Sequence, residues 1–153
     1  MQTYSEQHAG FTLLELLVVM AIAGMLLALI VPRFGSAFSG AQFQKQVRVL
    51  TSTLNQARNK ASATGQIIRL ELSATDRSLI DASGVSLFSW SEDTQLIFID
   101  KEHRPLESGY LLFIPDAGSN GATLQLSQQL EKQKRQVEFS ISWLTGGVSY
   151  ETL

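Results

Sequence analysis

An uninterrupted apolar segment near the start of the chain constrains the fold more than any other feature. Residues Phe11 to Val31 form this segment, and Glu15 is its only charged residue. A helix of that length spans about 31 Å, which is enough to cross the hydrocarbon core of a bilayer. We therefore predict a single membrane-spanning helix over residues 11–31.

A secretory signal peptide is the main alternative for this segment. The apolar run is longer than the usual core of a signal peptide, no Lys or Arg precedes it, and it contains the carboxylate of Glu15. Cleavage at the small residues Ser36-Ala37 or Gly40-Ala41 would leave an exported soluble domain that lacks Glu15. That product remains an alternative to an anchored protein.

Glu15 is the residue in this segment that points to a function. A charged side chain at the centre of a bilayer costs about 2.5–3.5 kcal/mol on insertion scales, so it generally has a partner. Glu15 lies one helical turn into the run, near the interface, where the cost is smaller. A tolerated interfacial acid is therefore the plain alternative to a functional one.

Residues 10–15, Gly-Phe-Thr-Leu-Leu-Glu, resemble the processing site of type IV pilins and type II secretion pseudopilins. In that family a prepilin peptidase cuts after the glycine and methylates the new amino terminus. The resemblance implies a leader over residues 1–10, cleavage between Gly10 and Phe11, and N-methylation of Phe11. It also gives Glu15 a role in subunit assembly. The inside orientation of the leader rests on this motif, because the leader contains no Lys or Arg.

The charges created by processing suit an assembly role. Cleavage after Gly10 leaves a cationic amine on Phe11. Two opposite charges about 4 Å apart attract each other by several kcal/mol at an intermediate effective dielectric constant. The amine of an incoming subunit can then pair with Glu15 of a subunit already assembled, which offsets the burial of both charges and fixes the axial register.

The residues after the apolar run predict an amphipathic helical stem over residues 32–65. Pro32 removes a helix hydrogen bond, so we predict a kink there, with a helix end at the membrane edge as the alternative. Apolar residues then recur at steps of four and three, and Gly65 is placed as a C-terminal cap. We predict one helix from Phe11 to about Thr64 that packs on the head, with a coiled coil as the alternative. The apolar stripe consists of Phe43, Val47, Leu50, Leu54, Ala57 and Ala61.

The apolar period changes to two after Gly65, which predicts a β-rich head over residues 66–153. Apolar runs at 96–99 and 110–114 predict central strands, and alternation predicts further strands at 68–72, 124–126 and 137–143. Turns are expected at 116–121 and 146–147, and an exposed loop at 128–136. The predicted fold class is α+β: a long N-terminal helix, with a transmembrane first half, packed on an antiparallel β-sheet as in type IV pilins.

Two segments of the head resemble the H-type minor pseudopilins of the type II secretion system. Residues 113–124 are similar to a hairpin of that family, and residues 141–149 fit its last hairpin. The resemblance implies a structural subunit that helps initiate or cap the pseudopilus for export of folded proteins across the outer membrane. A minor type IV pilin, serving pilus assembly, adhesion or DNA uptake, is the alternative.

The same resemblance implies partners and a location. The partners are other minor and major pseudopilins, the prepilin peptidase, the inner-membrane assembly platform and secreted cargo. The location is the bacterial inner membrane. The chain crosses it once, and the head lies in the periplasm.

Charge is unevenly distributed along the chain, although the formal net charge is only -2. Residues 33–64 contain five bases and no acid, whereas 12 acids and 7 bases follow Gly65. The basic stem is either a solvated helix face or a contact surface for acidic neighbours or anionic lipid headgroups. Residues 143–153 contain no Lys or Arg, and the basic cluster at 132–135 is flanked by acids, so we expect no nucleic-acid binding.

The sequence contains no recognisable catalytic or metal-binding motif. Cysteine is absent, which excludes disulfides and thiolate metal sites. His103 lies in a charged loop at 101–105, and the sequence contains no nucleophile-elbow motif that would supply a catalytic serine. Residues 116–127 lack the full set of ligands that a calcium loop requires. We expect no enzyme activity, no metal and no cofactor.

Overall fold

The computed structural model describes residues 12–73, 75–106, 109–116, 118–129 and 134–153, with the side chains of residues 27–39 left out of the description. Two units can be distinguished, residues 1–42 and residues 43–153. The described elements are α1 (Leu13–Thr64), β1 (Ile68–Ser73), β2 (Ser78–Asp81), β3 (Ser86–Ser89), β4 (Thr94–Ile99), β5 (Tyr110–Ile114), β6 (Gly118–Ser119), β7 (Ala122–Gln129), β8 (Lys134–Ile141) and β9 (Val148–Thr152).

Helix α1 runs without interruption from Leu13 to Thr64, which confirms the predicted long helix over the described residues. The helix ends at Gly65, which has a φ of 66° and donates its N–H to the carbonyl of Ala61 at 3.0 Å. Glycine takes this left-handed conformation without a steric cost, as predicted for a C-terminal cap. Among the described residues, no helix meets the length and apolarity that a membrane crossing requires.

The apolar stripe of α1 forms the centre of the head's core. All six predicted stripe residues are buried, and Leu50 and Leu54 are completely so. A helix face with this 3.6-residue period can be covered along its whole length by sheets. The prediction that the stripe packs against the head is confirmed. The strands contribute Leu70, Leu79, Leu111, Phe113, Leu124, Leu126, Val137 and Phe139 to the same core.

The strands form two antiparallel sheets rather than one. The first has the order β3-β2-β1-β5-β6 and the second the order β4-β7-β8-β9. The α+β class is confirmed, and the arrangement is consistent with a type IV pilin-like fold. Residues 78–89, for which no strand was predicted, supply β2 and β3.

The prediction that residues 96–99 form a central strand is wrong. Among the described strands β4 pairs only with β7, so it lies at a sheet edge. The following loop pairs with the end of this edge, where the N–H of Leu106 donates to the carbonyl of Phe98 at 2.9 Å. The run is apolar because its side chains are buried, and burial of a strand's faces does not require a second neighbouring strand.

The prediction of an exposed loop at 128–136 is also wrong for residues 128–129 and 134–136. The other residues of that range, 130–133, lie outside the described part of the chain. Strand β7 continues to Gln129, and β8 begins at Lys134. Gln128 is completely buried because its Nε2 donates to the carboxylate of Asp93 at 2.6 Å. A polar side chain can be buried when it has such a partner.

The strand predicted over residues 137–143 is shorter at its end, because β8 ends at Ile141 and does not include Trp143. The expected turn at Gly146-Gly147 is confirmed: the N–H of Gly146 donates to the carbonyl of Ser142 at 2.8 Å and closes the connection to β9. Trp143 lies in this turn and is 69% exposed.

A chain of polar side chains joins the stem to the second sheet. Gln46 of α1 donates to the hydroxyl of Ser91 at 2.8 Å, and Ser91 donates to the carboxylate of Asp93 at 2.5 Å. The amide of Gln128 on β7 binds the other oxygen of Asp93. The hydrogen bond from Ser91, followed by the bond from Gln128, lowers the pKa of Asp93 against the opposing effect of burial. The ionised form of Asp93 is therefore the form that the fold stabilises.

We expect Leu54→Ala to lower the free energy of unfolding by about 2–5 kcal/mol, because it opens a cavity under both sheets. Urea denaturation of the full chain in detergent, followed by tryptophan fluorescence, measures the change. Val49→Ala is the matched control on the exposed face of α1, where little packing is lost. Equal effects of the two substitutions would contradict a core centred on the stripe.

We expect Asp93→Asn to flatten the dependence of stability on acid pH. The folded-state pKa lies below the ordinary value of 3.8, so the stabilisation is present above that value and is lost as pH falls through the folded pKa. Urea midpoints measured from about pH 5 to about pH 3 should therefore fall more steeply in the wild type than in the variant. Ser91→Ala, which removes the main donor, should give an intermediate slope. Identical slopes in all three proteins would refute the interpretation.

Candidate functional site

The residues predicted to act in assembly belong to the N-terminal part of the chain. Gly10 and Phe11 lie outside the described residues. Glu15 lies in the first turn of α1, and Pro32 has a helical backbone within α1, while its side chain is outside the description. The kink predicted at Pro32 and the processing at Gly10 remain predictions.

Thr12 sets the start of α1. Its carbonyl accepts hydrogen bonds from the N–H groups of Glu15 at 3.1 Å and Leu16 at 3.2 Å, and its hydroxyl accepts a further one from Glu15 at 3.3 Å. These bonds satisfy amide groups that the first turn of a helix otherwise leaves unpaired. The described helix therefore begins at Leu13.

This cap was not predicted, although the sequence contains the pattern for it. Thr followed three residues later by Glu, directly ahead of an apolar run, is the pattern of a capping box. Here Thr12 and Glu15 occupy those positions. Glu15 thus combines a negative charge at the positive end of the helix dipole with a backbone held by the cap.

The carboxylate of Glu15 has no ion-pair partner among the described residues. The salt bridges between described residues all lie in the head, from Arg69 onward. A carboxylate on a helix surface without a local cation is open to a cation from another molecule. A newly formed amino terminus is such a group.

The first turns of α1 present apolar side chains on every side. All described side chains from Thr12 to Leu26 are exposed, including Leu13 at 85% and Met25 at 73%. A soluble monomer does not normally leave so continuous an apolar surface in water. This segment needs a covering from outside the chain, either lipid or the apolar helices of other subunits. Its large apolar residues are Leu13, Leu14, Leu16, Leu17, Val18, Val19, Met20, Ile22, Met25 and Leu26.

The head offers little to a catalytic mechanism within its described residues. The loop at 101–105 is held by Asp100, whose carboxylate accepts hydrogen bonds from the backbone of Glu102 and from the backbone and side chain of Arg104. Those bonds lower the pKa of Asp100, and the bond from the backbone of Arg104 has the largest effect. His103 contacts Glu138 at 3.1 Å. The described residues contain no cluster of three or more His or acidic side chains that could hold a metal.

A comparison with protein families matches residues 7–31 to the prokaryotic N-terminal methylation motif. The matched range contains Gly10, Phe11 and Glu15, and it extends to the end of the apolar segment. No curated protein and no solved structure matches the chain. The motif indicates a type IV pilin-like protein and supports processing by a prepilin peptidase, methylation of the new amino terminus, and assembly with other pilin-like subunits.

Proposed function

We propose that this chain is a minor pseudopilin, a structural subunit that helps initiate or cap the type II secretion pseudopilus. The observation that carries the proposal is the N-terminal methylation motif continuing into a helix segment whose described side chains are all exposed. In this proposal residues 1–10 are the leader and residues 11–31 anchor the subunit in the inner membrane. Residues 32–65 form the stem, and residues 66–153 form the periplasmic head.

The assembly step follows from the charges at the amino terminus. Removal of the leader exposes the amine of Phe11, one residue ahead of the Thr12 cap, and Glu15 of a neighbouring subunit supplies the opposing charge. Their attraction of several kcal/mol at intermediate dielectric offsets part of the cost of taking both groups out of water. The apolar residues between Leu13 and Leu26 then exchange lipid for the helices of neighbouring subunits.

The two parts of the head that carry the family resemblance contact each other. The two segments that resemble the H-type family, residues 113–124 and 141–149, bind each other: the N–H of Ser119 donates to the carbonyl of Trp143 at 3.0 Å, and its hydroxyl donates to the carbonyl of Ser142 at 2.9 Å. Gly118 has a φ of 85°, and a Cβ there would overlap the backbone of Trp143. The features of the resemblance therefore act together as one structural unit.

A minor type IV pilin is the second candidate, because the same N-terminal motif serves both systems. The C-terminal residues 143–153 carry no Lys or Arg, which argues against a DNA-uptake role in that system. Other pseudopilins or pilins, the assembly platform and secreted cargo are the proposed partners. A non-enzymatic role fits a chain whose distinctive groups lie on its surface.

Processing can be tested directly by mass spectrometry. The protein, expressed with the matching peptidase and purified from membranes, should begin at Phe11 and carry one additional methyl group. Gly10→Val should block the cut, because it places a branched side chain next to the scissile bond, while Ala9→Ser should leave the cut unchanged. A chain beginning after Ala37 or Ala41 would show a signal peptide, and an uncut chain would show a simple anchor; either result would refute the proposal.

We expect Glu15→Gln to be processed normally but to assemble poorly, because only the charge is lost. Exoprotein secretion and surface pilus formation, measured in a strain lacking the native gene, should separate the two candidate systems. Loss of one such attraction should lower the affected activity by about tenfold or more. Glu92→Gln, at an exposed acid of the head, is the matched control. Full activity of Glu15→Gln in both assays would contradict the assembly role.

A further inference from the structure

Strand β9 is the last strand of the second sheet, and no other described strand pairs with the outer side of its backbone. In an antiparallel pair, residues that exchange backbone hydrogen bonds alternate with residues that do not. Bonds from Ser142 to Gly147 and from Leu153 to Gln136 fix the phase between β8 and β9. Ser149 and Glu151 consequently bond to β8, whereas Val148, Tyr150 and Thr152 direct their N–H and carbonyl groups away from it.

This open edge lacks the features that usually protect a sheet edge from pairing. The loop after β4 pairs with the end of that strand at Phe98 and Ile99, and β3 is only four residues long and shifts register against β2. Strand β9 keeps a continuous register with β8 over five residues and contains no Pro, Lys or bulge. Natural edge strands without such devices readily accept another strand.

The side chains of β9 define what that strand should carry. On the core side, Tyr150 lies 5.7 Å from the ring of Phe139, yet it is 49% exposed at the margin of the sheet. On the other side, Glu151 lies directly opposite Glu138. Like charges in this arrangement repel each other, and His103 contacts only the Glu138 member of the pair, at 3.1 Å.

We propose that β9 is a docking site for an extended segment of a partner protein that alternates apolar and basic residues. The segment pairs its backbone with Val148, Tyr150 and Thr152, packs an apolar side chain on Tyr150, and places Lys or Arg opposite Glu151. A second copy of this chain fits less well, because its β9 contains no base to offer Glu151. The site is independent of N-terminal processing, so it can fail while the proposed function stands.

The test uses two capped heptapeptides that alternate valine with threonine and differ only in a central lysine or glutamate. Amide hydrogen exchange is measured by NMR on the full chain in detergent micelles. The lysine peptide should slow exchange at Val148, Tyr150 and Thr152 about tenfold at saturation, because these amides become hydrogen-bonded. It should also bind about threefold to tenfold more tightly than the glutamate peptide.

Two variants separate the contribution of backbone hydrogen bonds to peptide binding from the contribution of charge. Thr152→Pro removes an outward N–H but no bond to β8, so the protein should stay folded and lose the protection. Glu151→Lys should reverse the preference to the glutamate peptide, while the control Glu92→Lys should leave the preference for lysine. No protection at millimolar peptide, equal binding of both peptides, or protection that grows with protein concentration alone, as in self-pairing, would each overturn the proposal.

Discussion

The burial of one helical stripe is the constraint on which the rest of the head depends. Leu50 and Leu54 are completely buried, and residues from both sheets enter the same core. Strands of two to eight residues in two small sheets expose too much edge and face to be stable separately. The stem gives them a common apolar surface. The helix that carries the predicted assembly segment at its start is therefore also the core element of the head.

Directional polar bonds add a register to this packing. Apolar contact alone allows a helix to slide or rotate on a sheet with little loss of free energy. The bond from Gln46 to Ser91 holds only in one alignment of α1 with the segment that precedes β4, and the bond from Gln128 to Asp93 ties that segment to β7. Because Gln128 is completely buried, loss of this second bond would leave its amide N–H group without a partner at a cost of roughly 1–3 kcal/mol.

The sequence predicted those parts of the fold that depend on local period and on glycine conformation. The stripe, the cap at Gly65 and the turn at Gly146-Gly147 are of this kind. It did not predict that residues 96–99 lie at an edge, because an apolar run reports burial of side chains and not the number of hydrogen-bonded neighbours. It also misplaced Gln128, since a glutamine is buried only where a distant partner such as Asp93 is available. At the candidate site, the helix cap at Thr12 could have been predicted from the capping-box pattern. The roles of Gly10 and Glu15 depend on other molecules, so they could not be tested on this chain alone.

The described chain leaves three kinds of group unsatisfied, and their chemistry defines the partners it needs. The apolar surface from Leu13 to Leu26 requires lipid or apolar helices, and the carboxylate of Glu15 requires a cation. The edge of β9 requires hydrogen-bonding backbone and a base near Glu151. An enzyme concentrates such groups in one concave site, where they act on a small substrate. Here they lie in separate segments, on a helix surface and on a sheet edge, which is the distribution expected of a subunit that joins several larger partners at once.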